Sequence, residues 1–191
     1  HSVHHEALFE WINKVESFLD RRGTDEKESI YRLGKQRYAD ERETIFDLRA
    51  QRIPEQDGTI KLTGRVLTRE QRQAAQDALQ PHPVDTSKVR VLLDDNAPWA
   101  IIQRGVTDLR RSPSTRAERV SQALFGDAVR ILEEQDDWAR VRMLRDGYMG
   151  WVRSRSLLRT SQPLVEAFLA SRQVRVSAGL LPASLSPSGQ L

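Results

Sequence analysis

The chain has 191 residues, of which 38% are hydrophobic and 30% charged, and its formal net charge is +3. No apolar run approaches the roughly 18–20 residues that a helix needs to cross a bilayer, which excludes a membrane span. Without any cysteine, a disulfide scaffold, a thiolate metal site and a cysteine nucleophile are excluded within these residues. Basic and acidic residues are interspersed over most of the chain, so no nucleic-acid-binding stripe is expected.

The N-terminal segment, residues 1–24, predicts one amphipathic helix. Apolar residues recur at three- and four-residue steps over 6–21, at Leu8, Ile12, Val15 and Leu19. No charged start followed by an apolar run is present, so these residues do not form a signal peptide. We expect His1, His4 and His5 to lie in a flexible terminal segment and not to bind a metal ion.

Residues 25–94 predict a small α+β domain. Its elements in chain order are a helix at 25–38, strands at 44–52 and 59–67, a helix at 69–80 and a strand at 88–93. Asp57-Gly58 marks the turn between the first two strands. Thr68 and Gln71 have the spacing of a capping box, which predicts where the second helix begins.

This element order, with GTIKLTGRVLTREQRQAAQDAL at its centre, resembles the BON domain found in bacterial envelope proteins. The resemblance covers about residues 25–94. Any small α+β sandwich can have this element order, so the order does not by itself indicate a binding role. The alternative is that this domain is a structural spacer.

After a linker or loop at 94–98, residues 99–160 predict a small all-β barrel, because short strands recur at close spacing. The strands centre on the apolar pairs Val106 with Leu109, Val129 with Ile131, and Val141 with Met143. Asp146-Gly147 forms the turn into a strand at 148–152, and a short helical turn follows at 154–158. Gly150 stands within a strand, where glycine often marks a bend or a close approach of another backbone.

Several separated motifs in this stretch agree with one family. Leu109-Arg110 with Ser112-Pro113 match an opening strand and loop, and ERVSQALFGD at 118–127 matches a diverging turn. Trp138 and Val141 match the third strand, and DGYMGWV at 146–152 matches the fourth hairpin. Residues 104–158 thus resemble a bacterial SH3 domain. The closest resemblance is to the first SH3 module of NlpC-type γ-D-glutamyl-L-diamino acid endopeptidases, which trim peptidoglycan stem peptides.

The resemblance implies a recognition role for four residues of the barrel. In the resembled enzymes, a carboxylate and a tyrosine of this module hold the free amino terminus of the substrate's L-alanine. By motif position the carboxylate is Glu118 and the tyrosine is Tyr148, and Asp146 and Trp151 are neighbours that shape the pocket. A buried ammonium needs such a partner, because an unpaired charge away from water costs several kcal/mol.

Each of these residues also has a structural interpretation. Glu118 is alternatively a solvated loop charge paired with Arg116 or Arg119. Tyr148 and Trp151 alternate with Met149, which predicts that one set of side chains faces the barrel core, and packing is the expected role of Trp151.

Further residues of the barrel are expected to be structural. Arg110 is expected to buttress the barrel, and Trp138 to pack within it. An acidic hairpin tip is expected to serve solubility, with Glu133, Glu134, Asp136 and Asp137.

Residues 161–191 resemble a helical linker, with a helix at 163–170, followed by the truncated start of a second SH3-like module. In the resembled enzymes a cysteine-histidine peptidase domain comes last. Because this chain lacks the cysteine, it is not expected to be an enzyme by itself. The implied chain is a fragment of a cysteine peptidase.

The resemblance therefore implies the N-terminal recognition and targeting part of a peptidoglycan stem-peptide hydrolase. Its partners are an L-Ala-γ-D-Glu-diamino-acid stem peptide and a C-terminal peptidase domain, and no cofactor is expected. The implied location is the cell envelope or extracellular space, or the cytoplasm if the full enzyme recycles wall peptides. The alternative is a non-enzymatic envelope protein whose barrel binds wall or protein partners. A third reading, an arginine-rich nucleic-acid binder, predicts binding that falls steeply with salt.

Overall fold

A computed structural model describes residues 26–54 and 58–171 of the chain. The described residues form two compact units, the first from 26–39 and 44–91 and the second from 40–43 and 92–171. The helix predicted at 6–21 and the start of a second SH3-like module lie outside the described residues. None of the described helices is long and apolar enough to span a membrane.

The first unit contains two helices and a three-stranded sheet. Its elements are α1 (26–37), β1 (Phe46–Arg52), β2 (Ile60–Val66), α2 (Arg69–Asp77) and β3 (Val84–Val91). The sheet order is β1-β2-β3, with β1 antiparallel to β2 and β2 parallel to β3. The strands predicted at 44–52 and 59–67 are confirmed, and Gly58 at the end of their connection has a φ of 72°.

Alternation along β1 and β2 builds the core of this unit. Ile60, Leu62 and Val66 are fully buried on one face of β2, as the period of two predicts. The same core receives Ile30 from α1 and Ala75 from α2. Burial of these apolar side chains, each contributing roughly 1.5–3 kcal/mol when large, holds the helices to the sheet.

The capping box at the start of α2 is confirmed. The Thr68 hydroxyl accepts a hydrogen bond from the Gln71 amide nitrogen at 3.4 Å. In return, Gln71 Oε1 accepts from the backbone nitrogen of Thr68 at 3.2 Å and of Leu67 at 2.7 Å. These bonds satisfy backbone donors that a helix N-terminus leaves unpaired, and so they fix where α2 begins.

Two boundaries in this unit differ from the prediction. Strand β3 begins at Val84, four residues before the predicted start, because it already pairs in parallel with Ile60 of β2 there. Helix α2 ends at Asp77 and not at 80, since the chain tightens into turns, with Leu79 donating to the Gln76 carbonyl at 3.2 Å.

The second unit contains a seven-stranded sheet. Its strands are β4 (Trp99–Ile102), β5 (Val106–Arg110), β6 (Arg119–Leu124), β7 (Ala128–Gln135), β8 (Trp138–Met143), β9 (Met149–Arg153) and β10 (Leu157–Thr160). The sheet order is β10-β4-β7-β8-β9-β5-β6. All seven strands contribute side chains to one apolar core, including Leu157 and Ala123 from the two edge strands. Because both edges meet the same core, the sheet must curl around it as an SH3-like barrel does.

Three strands of this unit were not predicted. Strand β6 occupies much of the stretch read as a diverging turn, and β4 and β10 are short strands that pair with each other. The predicted strands around Val129, Val141 and Gly150 are confirmed, as is the short helical turn, which covers Ser154–Ser156. Gly126 and Gly147 have φ angles of 82° and 76°, which explains glycine at these two turns.

The loop at 94–98 is clasped to the barrel by Arg130 of β7. Its Nε and Nη2 donate to the carbonyls of Ala97 at 3.0 Å and Asp94 at 2.6 Å. The guanidinium also lies over the Trp99 ring, 4.3 Å from its centroid. Burial lowers the pKa of Arg130, and the nearby charges of Asp94 and Asp95 oppose that shift. Of the two alternatives, linker or loop, this segment is a loop held against the barrel.

The helix predicted at 163–170 is confirmed as α3 (Gln162–Ala170). Its Val165 is fully buried against Ile101 of β4 and Ala128 of β7. The helix therefore seals the outer face of these two strands.

Candidate functional site

The loop between β5 and β6, residues 111–118, carries the predicted carboxylate. Arg110 holds this loop, because its Nη1 donates to the Ala117 carbonyl and its Nη2 to Asp108 Oδ2, both at 2.7 Å. The Arg111 amide nitrogen donates to the Glu118 carbonyl at 2.9 Å and closes the base of the loop. The expectation that Arg110 buttresses the barrel is confirmed.

Glu118 is exposed at the end of this loop. Its Oε2 lies 3.5 Å from Nη1 of Arg111, with 66% of the Glu118 side chain and 63% of the Arg111 side chain exposed. The alternative interpretation, a solvated loop charge, fits this exposure. The paired arginine is Arg111 and not Arg116 or Arg119, because closure of the loop base brings Arg111 beside Glu118, and Arg119 approaches Asp108 at 3.7 Å. An exposed pair of this kind contributes at most about 1 kcal/mol, so a ligand cation can replace Arg111 at low cost.

Tyr148 and Asp146 belong to the turn between β8 and β9. Asp146 Oδ1 accepts from the Tyr148 amide nitrogen at 3.0 Å, and its Oδ2 accepts from Arg145 Nε at 3.1 Å. The Met143 amide nitrogen donates to the Tyr148 carbonyl at 2.8 Å. Asp146 therefore fixes the backbone that carries Tyr148, whose side chain is half-buried.

Trp151 is only 9% exposed, which agrees with a packing role. The expectation that one set of side chains in this strand faces the barrel core is confirmed, and the opposite face is buried as well, from Met149 to Val152. Val152 enters the barrel core, whereas Trp151 lies on the opposite face of the strand.

Strand direction places Glu118 and Tyr148 at the same end of the sheet. Arg110 of β5 pairs with Arg119 of β6 on one side and with Trp151 of β9 on the other. Since β6 and β9 are both antiparallel to β5, they run in the same direction, and Glu118 and Tyr148 each immediately precede one of them. Across the sheet they are two strand spacings apart, about 10 Å, and along the strands Tyr148 lies two residues, about 7 Å, beyond the level of Glu118.

A third segment, Asp40–Glu43, lies at this end of the barrel. The Met149 amide nitrogen donates to the Arg42 carbonyl at 2.7 Å. The Arg42 guanidinium carbon is 5.9 Å from the centroid of the Tyr148 ring. The Asp40 carboxylate accepts hydrogen bonds from Arg42 Nη2 at 2.8 Å and from Arg42 Nε at 3.0 Å. These bonds lower the pKa of Asp40 to about 2. No sequence signal links Arg42 to Tyr148, because the contact joins residues that are distant along the chain.

The acidic hairpin tip is not a set of free charges. Glu133 is paired with Arg140 at 3.7 Å, Glu134 is bonded to Arg159, and Asp137 is bonded to Arg153. These three carboxylates therefore also form ion pairs, with Arg140 of the facing hairpin strand β8, Arg159 of β10 and Arg153 of β9.

The surroundings of Glu118 and Tyr148 contain groups that can bind a cation. A carboxylate, a tyrosine hydroxyl and an aromatic ring can together hold a cation. Within residues 26–54 and 58–171, no group of three or more histidine, aspartate or glutamate side chains is arranged to hold a metal ion.

The curled sheet and its core are consistent with a small SH3-like barrel. Residues 109–157, from the second half of β5 to the start of β10, match the family described as the bacterial dipeptidyl-peptidase SH3 domain. This match supports the predicted bacterial SH3 domain and associates it with peptidases. No curated protein matches the chain.

Proposed function

We propose that this chain is the N-terminal recognition part of an NlpC-type peptidoglycan stem-peptide hydrolase. The observation that carries the proposal is the match of residues 109–157 to a family of SH3 domains named for bacterial dipeptidyl-peptidases. The barrel would help to recognise the free amino end of L-Ala-γ-D-Glu-diamino-acid peptides.

In this proposal Glu118 and Tyr148 hold the substrate ammonium. Their common position at one end of the β9-β5-β6 stretch supports a joint role, as does the weak, exposed pairing of Glu118 with Arg111. Asp146 fixes the turn that carries Tyr148, and the buried Trp151 supports the strand behind it. Peptides still linked to sugar through that nitrogen lack the ammonium at the alanine end and would bind poorly.

The reaction itself needs a further domain. Peptide-bond cleavage by a thiolate requires a cysteine with a histidine as base, and this chain contains no cysteine. We therefore assign the chemistry to a C-terminal peptidase domain, with no cofactor. Stem peptides occur in the cell envelope and outside the cell, and in the cytoplasm during wall recycling, so these are the proposed locations.

Titration of the protein with L-Ala-γ-D-Glu-diaminopimelate, followed by tryptophan fluorescence or amide NMR, tests the proposal. We expect a saturable response, no response to the N-acetylated peptide and a weaker response in Glu118→Gln. Glu166→Gln is the matched control, because Glu166 is an exposed carboxylate on α3. Absence of a saturable response, even with the peptidase domain present, would refute the proposal.

A second candidate function is a non-enzymatic envelope protein whose barrel binds wall or protein partners. It applies if no peptidase domain accompanies the barrel in the native protein. The intact mass of the native protein in its source cells separates the two. A mass far above 21.9 kDa, with cysteine- and histidine-containing peptides beyond Leu191, supports the hydrolase. A mass near that value supports the binding protein.

For residues 25–94 we propose a BON-like α+β domain, with a structural spacer as the alternative. The helix-strand-strand-helix-strand order and the sheet order β1-β2-β3 support this reading. If this domain takes part in binding, the NMR titration shifts amide signals of residues 44–91 as well as those of the barrel. A spacer leaves them unchanged.

A further inference from the structure

The guanidinium group of Arg42, from this same chain, lies beside the Tyr148 ring. Arg42 places its guanidinium carbon 5.9 Å from the Tyr148 ring centroid, within the distance at which a cation and an aromatic ring attract. This is the ring that the proposed function assigns to the substrate ammonium. The contact therefore shows what kind of group the ring accepts.

Backbone bonding keeps this cation in place. The Arg42 carbonyl accepts a hydrogen bond from the amide nitrogen of Met149 at 2.7 Å, and Met149 directly follows Tyr148 in the chain. The neighbouring Glu41 carbonyl lies 3.5 Å from Arg140 Nη2. The Arg42 side chain can thus leave the ring while its backbone stays bound, because the anchoring bond does not involve the guanidinium.

Asp40 provides the negative charge at this position. Its carboxylate receives three hydrogen bonds from Arg42: Nη2 at 2.8 Å, Nε at 3.0 Å and the backbone nitrogen at 2.9 Å. The Arg42 and Asp40 side chains are 53% and 40% exposed, so solvent screens the pair and a competing cation can reach it.

We propose that Asp40 and Tyr148 form a cation-binding subsite, and that Arg42 occupies it as an internal competitor which a peptide's primary ammonium must displace. The inference rests on the proposed function for the role of Tyr148. It adds Asp40 to Glu118 as a second carboxylate for binding and makes Arg42 a determinant of affinity and specificity. A ligand without an ammonium at its alanine end has no group to place in the subsite and gains nothing by displacing Arg42.

The size of the effect follows from the weakness of the contact. An exposed cation–π contact and the exposed ion pair with Asp40 together bias the site toward the Arg42-bound state by a factor of about three to thirty. Apparent affinity is reduced in proportion to the fraction of molecules in which the site is free. Arg42→Ala should therefore bind L-Ala-γ-D-Glu-diaminopimelate about three- to thirtyfold more tightly than the wild type.

The test compares five proteins by NMR titration with this peptide and its N-acetylated form. Arg42→Ala should tighten binding of the free-amine peptide alone, and Arg42→Lys, which keeps a cation, should stay near wild type. Asp40→Asn added to Arg42→Ala should remove the gain. Arg32→Ala is the matched control, because it breaks a similarly exposed ion pair with Glu28, at 2.8 Å on α1.

The outcomes separate this inference from the proposed function. The peptide carries carboxylates, so a general loss of positive charge would weaken binding, opposite to the expected gain. Equal or weaker binding by Arg42→Ala, with wild type binding normally, overturns the inference and leaves the proposed function standing. Absence of binding by every protein, each with a folded amide spectrum, overturns both.

Discussion

Gly150 is the position where one added methyl group should damage the barrel most clearly. A Cβ at this residue would lie 2.7 Å from Leu109 Cβ, 3.2 Å from Leu109 Cγ and 3.3 Å from the Arg110 carbonyl oxygen. Leu109 is fully buried in the barrel core, so neither strand has room to move aside. Overpacking of this kind costs about 1–3 kcal/mol. For a unit of this size, Gly150→Ala should lower the unfolding midpoint by roughly 10 °C.

Gly105→Ala is the matched control for this prediction. An added Cβ there finds no atom within 4 Å, and the backbone is outside the left-handed region. Substitution should leave stability unchanged or raise it by about 0.4–1 kcal/mol, because alanine restricts the unfolded chain. Thermal unfolding followed by tryptophan fluorescence reports on the barrel, where Trp99, Trp138 and Trp151 lie. Equal midpoints for the two variants would show that close approach is not why glycine is needed at 150.

Three further predictions concern side-chain interactions of the second unit. Arg130→Ala should destabilise the barrel by about 2 kcal/mol in thermal or urea unfolding, because two hydrogen bonds to backbone carbonyls and a ring contact are lost; an unchanged midpoint would contradict the clasp. The Asp40 carboxyl should titrate by NMR near pH 2 and return toward 3.8 in Arg42→Ala. Because the folded pKa is lowered, the pair's stabilisation is complete above about pH 4 and disappears as pH falls toward 2, and a midpoint near 3.8 in the wild type would refute the pairing. In the proposed full-length hydrolase, Glu118→Gln should slow hydrolysis of free-amine peptides selectively, whereas equal activity of the variant on free and N-acetylated peptides would contradict the proposed role.

Local patterns in the sequence predicted the elements that depend on local interactions. The alternation of Ile60, Leu62 and Val66 identified β2, and the spacing of Thr68 and Gln71 located the start of α2, because both signals arise within a few residues. Short strands that depend on distant partners could not be found in this way. Strand β4 has four residues, and its two neighbours in the sheet are β10 and β7.

The candidate site was predictable only in part for the same reason. The motif resemblance drew attention to Glu118 and Tyr148, and strand direction then places them at one end of the barrel. The partner of Glu118 depends on how the loop closes, which no residue spacing determines. The contact of Arg42 with Tyr148 arises because the segment Asp40–Glu43 belongs to the second unit. No sequence pattern around either residue predicts this contact.

The abundance of arginine in this chain has a structural explanation in the barrel. Arg110 and Arg145 each reach a carboxylate at 2.7 Å and also donate to a backbone carbonyl, so each fastens a loop through a planar group with several donors. Guanidiniums used in this way are neutralised locally, which disfavours a continuous nucleic-acid surface. The Glu118–Arg111 pair differs, because its 3.5 Å separation is longer than a normal charge-assisted hydrogen bond and both side chains are largely exposed. A carboxylate held this loosely can exchange its partner for a ligand ammonium without loosening the barrel, which is the property that the proposed site requires.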